Sequence, residues 1–173
     1  IGLQLKSLKE VDINTIKSKI EKATDERLFA IAEGLRRGLD MDEIYDLSKI
    51  DKTFLKTIQN IVKMEERLTK ESLLPQLLRE AKAIQFPDKL IAELTGKSEK
   101  EIKTLREKES ILPTYQAVNT CPSASSALPY FYSSFEGKTE KLAKEKPPII
   151  ILGSGHIRIG QGIEFDYCSV HSV

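Results

Sequence analysis

The sequence predicts a mainly α fold: a multi-helical domain with a helical hairpin, then extended segments, then a truncated strand–loop–helix of an α/β domain. Three observations predict it. Apolar residues recur at helical spacing from residue 12 to 109. Pro113, Pro122 and Pro129 then exclude long helices, and β-rich stretches take over. Last comes Ile149-Ile150-Ile151-Leu152, a run suited to a strand buried on both faces, with glycines at 153, 155, 160 and 162 behind it.

The elements follow in order. Ile13, Ile16 and Ile20 lie at i, i+3 and i+7, one face of a first helix. Thr24 offers the next N-cap, with Asp25 and Glu26 complementing the dipole of the first turn. Leu28, Phe29, Ala32 and Leu35 form that helix's apolar stripe, and Gly38 is a natural C′ stop. Asp40 and Glu43 have capping-box spacing and start a short helix carrying Ile44 and Leu47. Asp51 can cap the longest helix. Its expected buried side is Phe54, Leu55, Ile58, Ile61, Val62 and Leu68; Lys52, Lys56, Lys63, Glu65 and Glu66 are expected outside. Pro75 suits the first turn of a helix through Leu77, Leu78 and Ala81, and Pro87 does the same for Leu90, Ile91 and Leu94, ending at Gly96. Ser98 and Glu101 make a capping box for Ile102 and Leu105. That is about seven short helices, without a repeat of 20–50 residues.

Thr114–Thr120 and Tyr130–Phe135 read as two extended segments, and Glu136–Lys146 as a charged linker. After the glycines, Ile163, Tyr167 and Val170 return to helical spacing. One strand and one helix cannot cover their own apolar faces, so the second domain is expected to continue past Val173. Ile1-Gly2-Leu3 has neither a starting Met nor a signal peptide's charged start, so the chain is expected to begin inside a longer protein.

Composition narrows the function classes. Hydrophobic residues are 40% and charged residues 31%, ordinary for a globular protein. A net charge of +1 argues against a general polyanion binder, and the absence of Trp argues against a stacking platform for single strands. The longest apolar runs, Leu28 to Ala32 and Ile149 to Leu152, are too short to span a membrane. Cys121 and Cys168 form no CxxC pair, so neither a zinc site nor a disulfide framework is indicated, and a cytoplasmic setting is expected.

Three motifs bear on chemistry. In the tail, a strand, a glycine turn and a helix N-terminus could place backbone N–H groups around an anion. Arg158 stands where a GxGxxG loop beginning at Gly153 needs its third glycine. Gln161 stands where a Walker loop beginning at Gly155 needs lysine. A tight connection with glycines for packing gives the same spacing. The second motif, Asp88 to Lys108, has helix-turn-helix spacing at Ala92, Gly96, Ile102 and Leu105. Its second helix carries Lys100, Lys103, Arg106 and Lys108, a possible DNA-reading face, interrupted by Glu99, Glu101 and Glu107. An ordinary helical hairpin explains the spacing equally. The third is a scatter of Cys121, His156 and His171, which no spacing joins into a nucleophile pair; buried cysteine and surface histidine are expected. Glu164 and Asp166 diverge on a helix and make no acid–base pair.

The tail also carries a resemblance. GSGHIRIGQGIEFDYCSVHSV, with its IGQ-x-x-EFDY core, closely resembles the loop and helix that open the second synthetase half of the carbamoyl phosphate synthetase large subunit. Upstream, RLFAIAEGLRRG and KIDKTFL resemble the central helical region of that family, QFPDKLIAELTGKSEKEIKTLRE its helical hairpin, and ILPTYQAVNTC and YFYSSFE its extended segments. His156 replaces the family's usual small residue, and Asn119-Thr120-Cys121-Pro122 departs from the usual Asp-Thr-Cys-Ala.

The resemblance implies an order: residues 1–11 end a preceding synthetase half, 12–146 form an oligomerisation and connection domain, and 147–173 open the second half as a pre-ATP-grasp domain. It implies a parent ligase making carbamoyl phosphate from bicarbonate, glutamine-derived ammonia and ATP, with Mg or Mn, for pyrimidine or arginine synthesis. Implied partners are the rest of the large subunit, a glutaminase small subunit or domain, and further copies of the chain, with neither nucleic acid nor membrane. No catalytic residue, metal site or cofactor is expected in these 173 residues themselves. Arg158 and Glu164 match positions lining the carbamate tunnel, and Gly153, Gly155, Gly160 and Gly162 form the glycine loop. A cation there can hold an anionic intermediate, and a carboxylate can orient water or a proton.

Overall fold

The computed structural model describes residues 3–118, 130–140, 151 and 171. The chain divides into two compact units, residues 1–139 and 140–173. In the first unit eight helices precede two strands: α1 (Lys6–Lys9), α2 (Ile13–Glu21), α3 (Arg27–Arg36), α4 (Met41–Ser48), α5 (Lys52–Lys70), α6 (Pro75–Ala83), α7 (Asp88–Thr95), α8 (Glu99–Lys108), β1 (Thr114–Val118) and β2 (Tyr130–Ser134). The fold is mainly α, as expected. The four-residue α1 was not legible in the periodicity; its Leu8 is fully buried.

Helix starts follow local side-chain caps. Asp12 accepts from the Asn14 and Thr15 N–H groups, and Asp51 from the Thr53 N–H. The Ser98–Glu101 capping box forms in both directions, and Pro75 occupies the first turn of α6. Two starts differ from expectation. Thr24 is not the cap of α3: the Arg27 N–H bonds the Thr24 carbonyl in a tight turn, and the first α-type bond runs from Ala30 to Glu26. At α4, Asp40 holds the N-cap place without a side-chain bond, and Glu43 pairs with Lys17 of α2 instead of closing a box.

Four helices end on a left-handed residue followed by a bond back across the last turn, the Schellman arrangement. Gly38 and Gly96 do this with glycine, whose missing Cβ makes positive φ cheap. Gln85 and Ser110 do it with ordinary residues, at φ 66° and 54°. The next residues, Phe86 and Ile111, send their N–H groups to the Ala81 and Arg106 carbonyls and bury their side chains.

The helices pack around two apolar clusters that share α5. The N-terminal cluster contains Leu8, Ile16, Ile20, Ile31, Ile44, Leu55, Ile58 and Val62; the C-terminal one contains Met64, Leu68, Leu78, Ile91, Ile102 and Ile111. The α2–α3 approach is close because Gly34 lacks a side chain: a Cβ there would lie 2.9 Å from Leu39 Cδ1 and 3.2 Å from Ile20 Cδ1. On α5 the expected faces need two corrections. Phe54 is 67% exposed, and Glu65 is only 5% exposed. Phe54, in the first turn, is not among the side chains packed on the N-terminal cluster, although Leu55 beside it is; Glu65 is drawn inward by Arg36.

The two extended segments pair as an antiparallel ribbon, Thr114 opposite Ser134 and Val118 opposite Tyr130. Of the expected strand at 149–152, only Ile151 is described. It lies in no strand and is exposed, and a strand is buried on both faces only where other elements cover it.

Candidate functional site

The α7–α8 hairpin forms as the sequence predicts, turning through Gly96. Its charges do not form a DNA-reading face. Arg106 points inward: Nε donates to Asp88 Oδ2 at 3.1 Å, and Nη1 to the Ile111 carbonyl at 3.1 Å. Lys103 pairs loosely with Glu107 at 4.0 Å, and Glu101 is taken by its capping box. The exposed bases that remain, Lys100, Lys103 and Lys108, alternate with acids and build no positive field.

Asp88 holds a second cation. Lys82 of α6 donates to Asp88 Oδ1 at 2.7 Å and to the Phe86 carbonyl at 2.7 Å. Lys82 is 5% exposed, so this is a desolvated ion cluster and its geometry matters. Burial opposes ionisation of Asp88, but the hydrogen bond and charge of Lys82 and the charge of Arg106 outweigh it. The carboxyl titrates below its ordinary value of 3.8. The Phe135 ring, one residue past β2, covers both cations: its centre lies 4.4 Å from Lys82 Nζ and 5.5 Å from Arg106 Cζ.

The N-terminal cluster carries a different polar device. Arg27, the first residue of α3, donates from Nε to the Ile20 carbonyl at 2.7 Å and from Nη2 to the Glu21 and Ser48 carbonyls at 3.2 and 2.7 Å. One guanidinium thereby satisfies the open carbonyl ends of α2 and α4. Arg37 does the same for the end of α1 and the chain just after it, reaching the Leu8, Lys9 and Val11 carbonyls. Arg36 grips both Glu65 oxygens, at 2.7 and 3.1 Å, and the Leu3 carbonyl at 2.7 Å. Glu33 faces Arg36 and Arg37 together.

An open groove of about 370 Å³ runs beside this network, past Gln4, Arg36, Val62, Glu65 and Leu94. Its charged walls are already committed: Arg36 to Glu65, and Lys70 to Glu66. Among the described residues, no group of three or more His, Cys, Asp or Glu could hold a metal ion, and no helix is long and apolar enough to cross a membrane.

Several expected site residues lie outside the described residues: Arg158, Glu164, the glycines at 153, 155, 160 and 162, both cysteines and His156. His171 is helical and exposed. Sequence reading missed the roles of Lys82, Asp88 and Phe135, and those of Arg27, Arg36, Arg37, Glu33 and Glu65. The one available signal was Arg-Arg-Gly at a helix end, where cations reach free carbonyls.

Comparison with known proteins adds the context. Residues 1–110 match the family model described as carbamoyl-phosphate synthetase large chain, oligomerisation domain. Residues 145–173 match that described as carbamoyl phosphate synthase preATP-grasp domain. Among similar proteins, the carbamoyl phosphate synthase large chain of Methanosarcina barkeri is 46% identical over 98% of this chain and 17% of its own length. That of Methanothrix thermoacetophila is 48% identical over 91% of this chain and 15% of its own. That of Lachnoclostridium phytofermentans is 45% identical over 92% and 15%. The chain thus spans less than a fifth of the length of these relatives.

Proposed function

This chain belongs to the carbamoyl phosphate synthase large-chain family, and from that premise we propose that it is the junction of an ATP-dependent ligase. The observation that carries the reading is the succession, in one chain, of a match to an oligomerisation domain and a match to a preATP-grasp domain. In this reading residues 1–11 close a preceding synthetase half, 12–146 connect and self-associate, and 147–173 open the second half. The parent makes carbamoyl phosphate from bicarbonate, glutamine-derived ammonia and ATP, in the cytoplasm, for pyrimidine or arginine synthesis.

In this reading the sites for ATP and its Mg or Mn belong to the rest of the large subunit. Ammonia supply is assigned to a glutaminase subunit or domain. Within this chain, Arg158 and Glu164 are proposed to line the carbamate path, next to the glycine loop of Gly153, Gly155, Gly160 and Gly162. The guanidinium would hold an anionic intermediate by charge-assisted hydrogen bonds, and the carboxylate would orient water or a proton.

The test is synthesis of carbamoyl phosphate by the full-length protein with its glutaminase partner. Arg158→Met and Glu164→Gln are expected to reduce overall synthesis at least about tenfold while bicarbonate-dependent ATP cleavage persists. A full-length protein without carbamoyl phosphate synthesis would sink the reading. Equal loss of synthesis and ATP cleavage would sink the path assignment alone.

A further inference from the structure

We infer that Phe135, seated over the Lys82 and Arg106 cations, is a latch that fastens the β1–β2 ribbon to the helical body. The ribbon needs one. Two strands alone are marginal in water, and no third strand pairs with them among the described residues. Their own large side chains supply little burial: Tyr115 is 50% exposed, Phe131 44% and Tyr132 48%. Phe135 is the exception, half-buried and packed against the C-terminal cluster.

The base of the ribbon closes on one side chain. Arg106 donates to the Ile111 carbonyl just before β1 and lies beneath the Phe135 ring just after β2. Both ends of the ribbon are therefore held at Arg106. Asp88 makes the arrangement possible. It binds Lys82 and Arg106 at once, and so keeps two like charges against a single ring. The Phe86 and Ile111 carbonyls orient the same two cations. Asp88 is thus a positioning residue, and Phe135 is the side chain that meets the cations it positions. The consequence reaches the chain beyond the ribbon: the Tyr115 N–H donates to Thr139 Oγ1, so the segment leaving β2 runs beside β1 for as long as the ribbon is fastened.

Hydrogen exchange by mass spectrometry on the full-length protein tests the latch. The readout compares peptides covering residues 112–118 and 130–136 with one covering 55–68. Phe135→Leu keeps apolar bulk but loses the electron-rich ring face, and is expected to speed ribbon exchange about tenfold while α5 stays unchanged. Phe135→Tyr is expected to retain protection. Asp88→Asn is expected to match Phe135→Leu, and the double variant to add little, because both open one contact. Ribbon exchange in Phe135→Leu within about twofold of the parent protein would overturn the inference. So would equal acceleration of ribbon and α5, which marks an ordinary core residue. If Asp88→Asn does not fold, the two Phe135 variants decide.

Discussion

The two halves of the helical body solve one problem in two ways. Every helix ends with carbonyls that lack partners within the helix. In the N-terminal half, Arg27 and Arg37 satisfy carbonyls across distant chain ends, from Leu8 to Ser48. There α2 ends in extended backbone, with Lys22 at φ −77° and ψ 128°, so no local turn folds back over its last carbonyls. In the C-terminal half, α6, α7 and α8 each close locally through Gln85, Gly96 and Ser110. That half commits Lys82 and Arg106 to Asp88, and Arg79 adds one distant bond to the Glu109 carbonyl at the end of α8. Local closure frees side chains for a ring-covered ion cluster; distant closure consumes them as braces. The end of α2 therefore depends on long-range order, whereas α3, α6, α7 and α8 close on short-range turns.

The shared helix is where this contrast can be broken most severely. Asn60 is exposed in the middle of α5, between Ile58 of one cluster and Met64 of the other. Asn60→Pro is expected to cost at least about 3 kcal/mol and to lower a single thermal transition. Two separate transitions in calorimetry would show that the halves are independent.

Next in size is loss of a brace. Glu65→Ala leaves Arg36 partly buried with only Glu33 and a carbonyl, and is expected to cost about 3 kcal/mol in denaturant titration. Arg27→Lys keeps the charge but cannot present the fork that reaches three carbonyls, and about 2 kcal/mol should be lost. Full stability in Arg27→Lys would mean that charge alone, not geometry, holds α2 and α4.

Acid separates the halves more gently. The Asp88 carboxyl titrates below 3.8 in the folded protein, so its contribution is complete above about pH 5 and is lost as pH falls through the lowered value. Ribbon amides are expected to lose protection in that acid range, and Asp88→Asn to flatten that response. An unchanged response in the variant would assign it to other carboxylates.

The smallest effects lie at the helix ends. Ser110→Gly and Gln85→Gly should each stabilise by about 0.5–1 kcal/mol, because both positions sit at positive φ. Gly38→Ala, with φ 84° and nothing near its Cβ position, should lose about 1 kcal/mol from backbone strain alone. Thermal midpoints of the three variants check the sign.

Much of the fold was legible because its signals are local. Asp51, Ser98 with Glu101, Pro75, Gly38 and Gly96 act on backbone groups within a few residues, so their spacing was enough to bound the helices they cap or end. Alternation and β-rich composition also marked both strands before their pairing was known. The positive-φ ends at Gln85 and Ser110 were invisible, since neither residue announces that conformation. Thr24 misled because a tight turn stabilised by Arg27 precedes the helix it was expected to cap.

By itself, then, the sequence determined the mainly α class, most helix limits, the hairpin and the two extended segments, and its motifs carried the resemblance that led to the family. Only the tertiary structure decided the fate of the charged and aromatic residues. Glu65 and Lys82 turned inward, Phe54 outward, and Arg106 away from any nucleic acid. The reason is the range of the forces. A cap is decided within one turn, but an ion is buried only if its counter-charge arrives, and those of Arg36 and Arg106 come from 29 and 18 residues away.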